Sequence, residues 1–159
     1  MVAIPPWVDQ KTDLLLDTNL LAVLVIGRAR ESLLGRKPVE DFQIADFERL
    51  AEFSALFKTV TTTSHVLSEV NSLLNKTGYA RGECRVALAS LIDLIEESHQ
   101  SSRELSRDHA FVDLGLTDIS VKAAATEDTL VLTEDEDLLG ILNQAGIAAL
   151  RYKDLVNAE

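Results

Sequence analysis

The chain has 159 residues, 47% of them hydrophobic and 26% charged, with 7 glycines, 3 prolines and one cysteine. That length supports one sizeable core and no second ordinary domain, and the composition excludes long disorder. A net charge of −11 excludes a passive binder of the phosphate backbone, whose affinity would come from Lys and Arg.

Cys84 alone cannot close an intrachain disulfide, and His65, His99 and His109 offer no zinc-ligand spacing. A single domain over residues 1–159 in a reducing, cytoplasmic setting is expected. Residues 1–9 contain no basic leader, and the longest apolar run, residues 20–26, falls far short of the roughly 20 residues of a membrane span. No membrane association is expected.

Leu14, Leu15 and Leu16 form a short apolar run ending at Asp17, the mark of a buried parallel strand, and a helix begins near Asn19. The pattern breaks between Arg28 and Pro38, predicting a mobile loop. Phe42, Phe47, Leu50, Phe53, Leu56 and Phe57 then recur at helical spacing as far as Lys58. Residues 28–57 thus read as an extended loop-plus-helix segment.

Thr59-Val60-Thr61-Thr62 is β-branched and predicts a second strand, with Thr63 or Ser64 capping a helix that runs to about Lys76. Gly78 closes it. Apolar positions from Cys84 to Ile95 predict another helix through about Ser98, followed by a polar strand-like or looped piece at residues 101–105.

Two short helices, residues 107–114 and 118–125, are divided by Gly115, with Thr117 as the cap of the second. Leu130-Val131-Leu132 predicts a buried strand, residues 135–145 a helix stopped by Gly146, residues 147–150 the last strand and residues 153–157 a short helix. Alternating strands and helices make a parallel α/β sheet, whose sites lie beyond the carboxyl ends of the strands. That rule singles out Asp17 and the segment after Leu132.

Each acid near those ends has an ordinary explanation when taken singly. Asp17 can cap a helix, Glu69 can be a solvated helix charge at the border of the Val66, Leu67, Val70, Leu73 and Leu74 stripe, and Asp118 can favour a helix dipole. Glu134-Asp135-Glu136-Asp137 is harder to explain, because capping uses one or two of these acids and not four. Two carboxylates about 5 Å apart repel by roughly 3 kcal/mol at an effective dielectric near 20. A cluster of several therefore calls for a cation, and an all-oxygen donor set favours magnesium, manganese or calcium.

In this order and setting the residues resemble the PIN-domain family. The resemblance is carried by Asp17-Thr18-Asn19 after the first strand, residues 61–69 leading to Glu69, Gly115-Leu116-Thr117-Asp118, and Thr133-x-Asp135-x-Asp137; it spans residues 14–150. It implies a three-layer α/β/α PIN-like fold with a central parallel sheet flanked by helices. It also implies a Mg2+- or Mn2+-dependent ribonuclease, similar to VapC-type toxins of toxin–antitoxin pairs, with Asp17, Glu69, Asp118 and Asp135 as the acidic quartet. Asp137 would serve beside Asp135 or in its place, Thr18 or Asn19 would orient the site, and Thr133 would hold the acidic loop by hydrogen bonding. The partners so implied are an RNA substrate, an antitoxin protein and a second copy of the chain in a homodimer.

Arg28, Arg30, Arg36 and Lys37, opposed locally by Glu31 alone, are candidates for guiding an RNA backbone; a solvated basic loop is the alternative. A non-catalytic PIN-like module binding RNA or protein is the runner-up for the whole chain. A phosphatase of the haloacid-dehalogenase type ranks last, since that type wants a second Asp two residues after the first and Asn19 stands there.

Overall fold

In the computed structural model, which describes residues 4–157, Asp13–Leu16 forms β1, and its three leucines are wholly buried. Successive strand residues point to opposite faces, so burial of all three requires cover on both sides. Thr129–Thr133 forms β4 and is buried along its full length for the same reason. Around them lie β2, Thr59–Thr63, β3, Glu96–Ser98, and β5, Ala149–Arg151. The five strands are all parallel, in the order β3-β2-β1-β4-β5. The expected three-layer α/β/α arrangement is borne out.

That order sets the site. The chain winds outward from β1 to β3 and returns to place β4 on the other side of β1, so the β1–β4 junction is the topological switch point. In open parallel sheets the crevice for ligands opens there, at the carboxyl ends.

Helix α1, Thr18–Ala29, is apolar on nearly every side, and it is buried from Leu20 to Gly27 because it lies against α2, Ile44–Ser54, α3, Ser64–Leu73, and α4, Arg81–Ile92. Gly27 lets the Phe47 ring of α2 come close, where a Cβ would stand 2.4 Å from the nearest ring carbon. The remaining helices are α5, Ser102–Leu105, α6, Phe111–Ala124, α7, Glu136–Gln144, and α8, Tyr152–Asn157. No helix among the described residues is long and apolar enough to cross a membrane.

Several predicted boundaries move. The helix expected from Phe42 to Lys58 is shorter, because Gln43 and Asp46 form a reciprocal capping box at its start. Lys58 and Thr59 must also leave it to donate to Thr12 as β2 begins. The segment before α2 is not a loose loop, since Leu34, Val39 and Phe42 are buried and Gly35 donates to the Phe42 carbonyl at 2.7 Å.

The helix expected to reach Ser98 stops at Ile92, and the strand lies earlier than the polar piece at residues 101–105, which holds the short helix α5. β3 is an edge strand whose exposed Glu96 and Glu97 keep that edge polar. The two helices expected around Gly115 are the two halves of α6, broken where Gly115 adopts φ 80°. The first half begins at Phe111 and not at Arg107, and the break falls two residues before the Thr117 cap that was expected.

Candidate functional site

Asp17 follows β1 and serves as the N-cap of α1. Its backbone N–H extends the ladder to the Leu132 carbonyl at 3.0 Å, which holds the residue against β4. The residue is only 7% exposed. One oxygen accepts from the Thr18 N–H at 2.7 Å and the other from the Thr133 hydroxyl at 2.7 Å. Burial raises the Asp17 pKa above the ordinary carboxylate range, and the charges of Asp135 and Glu69 push the same way.

Thr133, at the end of β4, spends its hydroxyl in both directions. It donates to Asp17 and accepts the Asp135 backbone N–H at 2.9 Å, so one buried side chain ties the first acid to the loop of the last. The hydrogen bonding expected of Thr133 is present. Thr18 is buried as well, and its hydroxyl has no hydrogen-bond partner. Asn19 is exposed on the first turn of α1.

Glu69 is exposed on α3. Thr63 sets where that helix starts, accepting the Val66 N–H at 3.1 Å, and its hydroxyl lies 2.7 Å from that of Ser120 on α6. Ser120 gives its own proton to the Thr117 carbonyl at 2.6 Å, so Thr63 is the donor in their bond. This pair joins the helix of Glu69 to that of Asp118, a link that no local pattern in the sequence announces.

Asp118 is half-buried in the second half of α6, and its pKa is pushed up to about 7. Burial is the largest cause, followed by the charges of Asp17, Asp135 and Glu69. Asp135 caps α7, one oxygen accepting from the N–H groups of Asp137 at 2.9 Å and Leu138 at 3.0 Å. Among the described residues, the charge that this segment exerts on Asp17 and Asp118 comes from Asp135 and not Asp137. Asp137 supplies a backbone donor to that cap.

The four acids come from four separate elements at the carboxyl edge of the sheet, where the charges of Asp135 and Glu69 bear on Asp17 and those of Asp17, Asp135 and Glu69 bear on Asp118. Their oxygen chemistry, the opposed ionisation of Asp118 and the orphaned Thr18 hydroxyl suit a hard divalent cation. Among the described residues no three acidic, histidine or cysteine side chains are drawn together tightly enough to hold a metal directly.

Of the four basic residues proposed from sequence, Arg28 and Arg30 stand at the end of α1 remote from Asp17. Along α1, Arg28 lies roughly 15 Å from Thr18 at about 1.5 Å per residue. Arg30 is paired with Glu83 of α4, and Arg36 and Lys37 are exposed in the turn before α2. None of the four is among the charges that shift Asp17 or Asp118. Arg151, which the sequence does not mark, ends β5 in register with Thr133, and its charge is likewise not among those that shift Asp17 or Asp118. The most voluminous cleft described, about 670 Å³, lies at the other rim of the sheet beside Trp7, Lys11, Glu127 and Ile147, and none of the four acids lines it.

No family model matches the chain, and no curated protein matches it.

Proposed function

We propose that the protein is a PIN-like, metal-dependent endoribonuclease that hydrolyses RNA phosphodiester bonds at the Asp17, Glu69, Asp118 and Asp135 cluster. The observation that carries this reading is the convergence of acids from four elements at the switch point, where the charges of Asp17, Asp135 and Glu69 add to burial in raising Asp118 to about 7. Carboxylates at functional sites are perturbed in this way by burial and by like neighbours.

Asp17 is held still by Thr18 and Thr133, and Asp135 by its helix cap, so two of the acids are fixed before any substrate arrives. Asp118 carries a proton over much of the neutral range and releases it when a cation takes its place. A magnesium or manganese ion bound here would activate water and offset the charge developing on the phosphoryl oxygens. The carboxylates position the ion and form no covalent intermediate. The narrower forms of the same reading are a toxin held in check by an antitoxin protein, a homodimer and a cytoplasmic location.

That no three acidic, histidine or cysteine side chains group together as a ready metal site among the described residues favours one second reading, a non-catalytic PIN-like module that binds RNA or protein. The two separate in one experiment: cleavage of a panel of structured and single-stranded RNAs in magnesium or manganese, by wild type and Asp17→Asn. Cleavage that is lost in the variant and in chelator is the expected result. No cleavage of any RNA, with no metal uptake by calorimetry, would overturn the nuclease reading in favour of the module.

A further inference from the structure

Resting on the nuclease reading, we infer that Arg151 is the phosphate-binding residue of the site, taking one phosphate of a single-stranded RNA beside the acidic cluster. Leu16 pairs with Leu132, and Thr133 with Arg151, so Asp17, Thr133 and Arg151 stand at one level on three neighbouring strands. In-register residues of a parallel sheet project to the same face, and the bond between Asp17 and Thr133 shows that they do so here. At about 4.8 Å per strand, Arg151 begins roughly 10 Å from Asp17. A guanidinium side chain spans much of that distance.

The surroundings of Arg151 suit exchange with a phosphate. One terminal nitrogen lies 2.8 Å from Glu136, whose side chain is 72% exposed, and an ion pair that open to water contributes little. The Nε is buried and makes no hydrogen bond, its nearest carboxylate oxygen being that of Glu134 at 3.7 Å. Glu134 is already engaged by the Lys153 backbone N–H at 2.7 Å and has the Lys153 ammonium 3.8 Å away. The guanidinium is thus held by Glu134 and Glu136, the two neighbours of Asp135, and the terminal nitrogen paired with the exposed Glu136 is the one whose partner a phosphate can displace. Arginine meets phosphate through two parallel N–H donors, a geometry that lysine cannot reproduce. An acidic chain that must hold RNA needs such a cation at the reacting edge, and Arg28 lies the length of α1 away from it.

The test is the salt dependence of binding to a 2′-O-methyl, phosphorothioate oligoribonucleotide in manganese, with its integrity checked on a gel. Arg151→Gln should flatten the slope of log affinity against log salt by about 0.7, the loss of one phosphate contact on a single strand. Arg151→Lys should restore the slope because it keeps the charge. Glu136→Gln should tighten binding in the wild-type background and not in Arg151→Gln. A folded Arg151→Gln variant with the wild-type slope would overturn the inference while leaving the nuclease reading intact. Wild-type protein that binds no oligonucleotide would overturn that reading and this one with it.

Discussion

Thr133 donates its hydroxyl proton to Asp17, a residue 116 positions away, at 2.7 Å across the junction of β4 and β1. The same oxygen accepts from the Asp135 backbone at 2.9 Å. Replacing Thr133 with Val keeps the shape but leaves a buried carboxylate oxygen without its donor. The expected loss is about 1–3 kcal/mol of stability, whereas Thr133→Ser keeps both bonds and should lose less. Urea denaturation at neutral pH measures this, and a Val variant as stable as wild type would show the hydroxyl to be dispensable.

The pH dependence follows from Asp118. Its carboxyl rises from 3.8 to about 7 on folding, so the folded chain holds this proton more tightly than the unfolded chain does. The stabilising contribution is complete below the ordinary carboxylate range and is lost as pH rises through about 7. Asp17 is shifted in the same direction. Metal-free protein should therefore melt at a lower temperature at pH 8 than at pH 5, and Asp118→Asn should flatten the difference. Asp108, lowered chiefly by its hydrogen bond from Lys122, acts in the opposite sense and takes stability away on strong acidification.

Addition of a divalent cation should reverse the alkaline loss. At a hundredfold excess over its dissociation constant, a ligand of the folded state stabilises by about 2.7 kcal/mol. Manganese should accordingly raise the melting temperature by several degrees at pH 8, less at pH 5 where Asp118 is protonated, and hardly at all in Asp17→Asn. Chelator should restore the starting value. An equal rise in wild type and variant would place the ion elsewhere.

Gly27 gives a prediction remote from the acids. An added methyl would meet the Phe47 ring near its root, at 2.4 and 2.5 Å from two ring carbons, so the ring cannot simply swing its tip aside. Gly27→Ala should destabilise by about 1–3 kcal/mol through overpacking of α1 against α2, despite alanine's better helix propensity. Thermal denaturation decides the sign.

Much of the layout is legible in the sequence where burial is uniform. Leu14-Leu15-Leu16 and Leu130-Val131-Leu132 announce β1 and β4 because strands covered on both faces must be apolar throughout. The acids that follow them are legible for the same reason, since a charge at the end of such a run is conspicuous. β3 is not legible, because an edge strand with Glu96 and Glu97 exposed carries no apolar run, and the helical spacing of apolar residues before it runs on as far as Ile95. Arg151 is invisible for a different reason. Only the pairing of β5 with β4 brings it level with Thr133, and nothing local to residues 149–151 records that register. The hydrogen bond between Thr63 and Ser120 is likewise a product of tertiary structure alone.

The central position of β1 also bears on when the protein becomes competent. Its partner β4 is completed only at Thr133, so a nascent chain passes most of its synthesis with Asp17 lacking both the Thr133 donor and the Asp135 neighbour. At about 5–20 residues per second, the intervening segment takes seconds or longer to emerge. During that interval the first acid is an isolated carboxylate on an unfinished sheet, and the cluster assembles only once residues 133–135 have emerged.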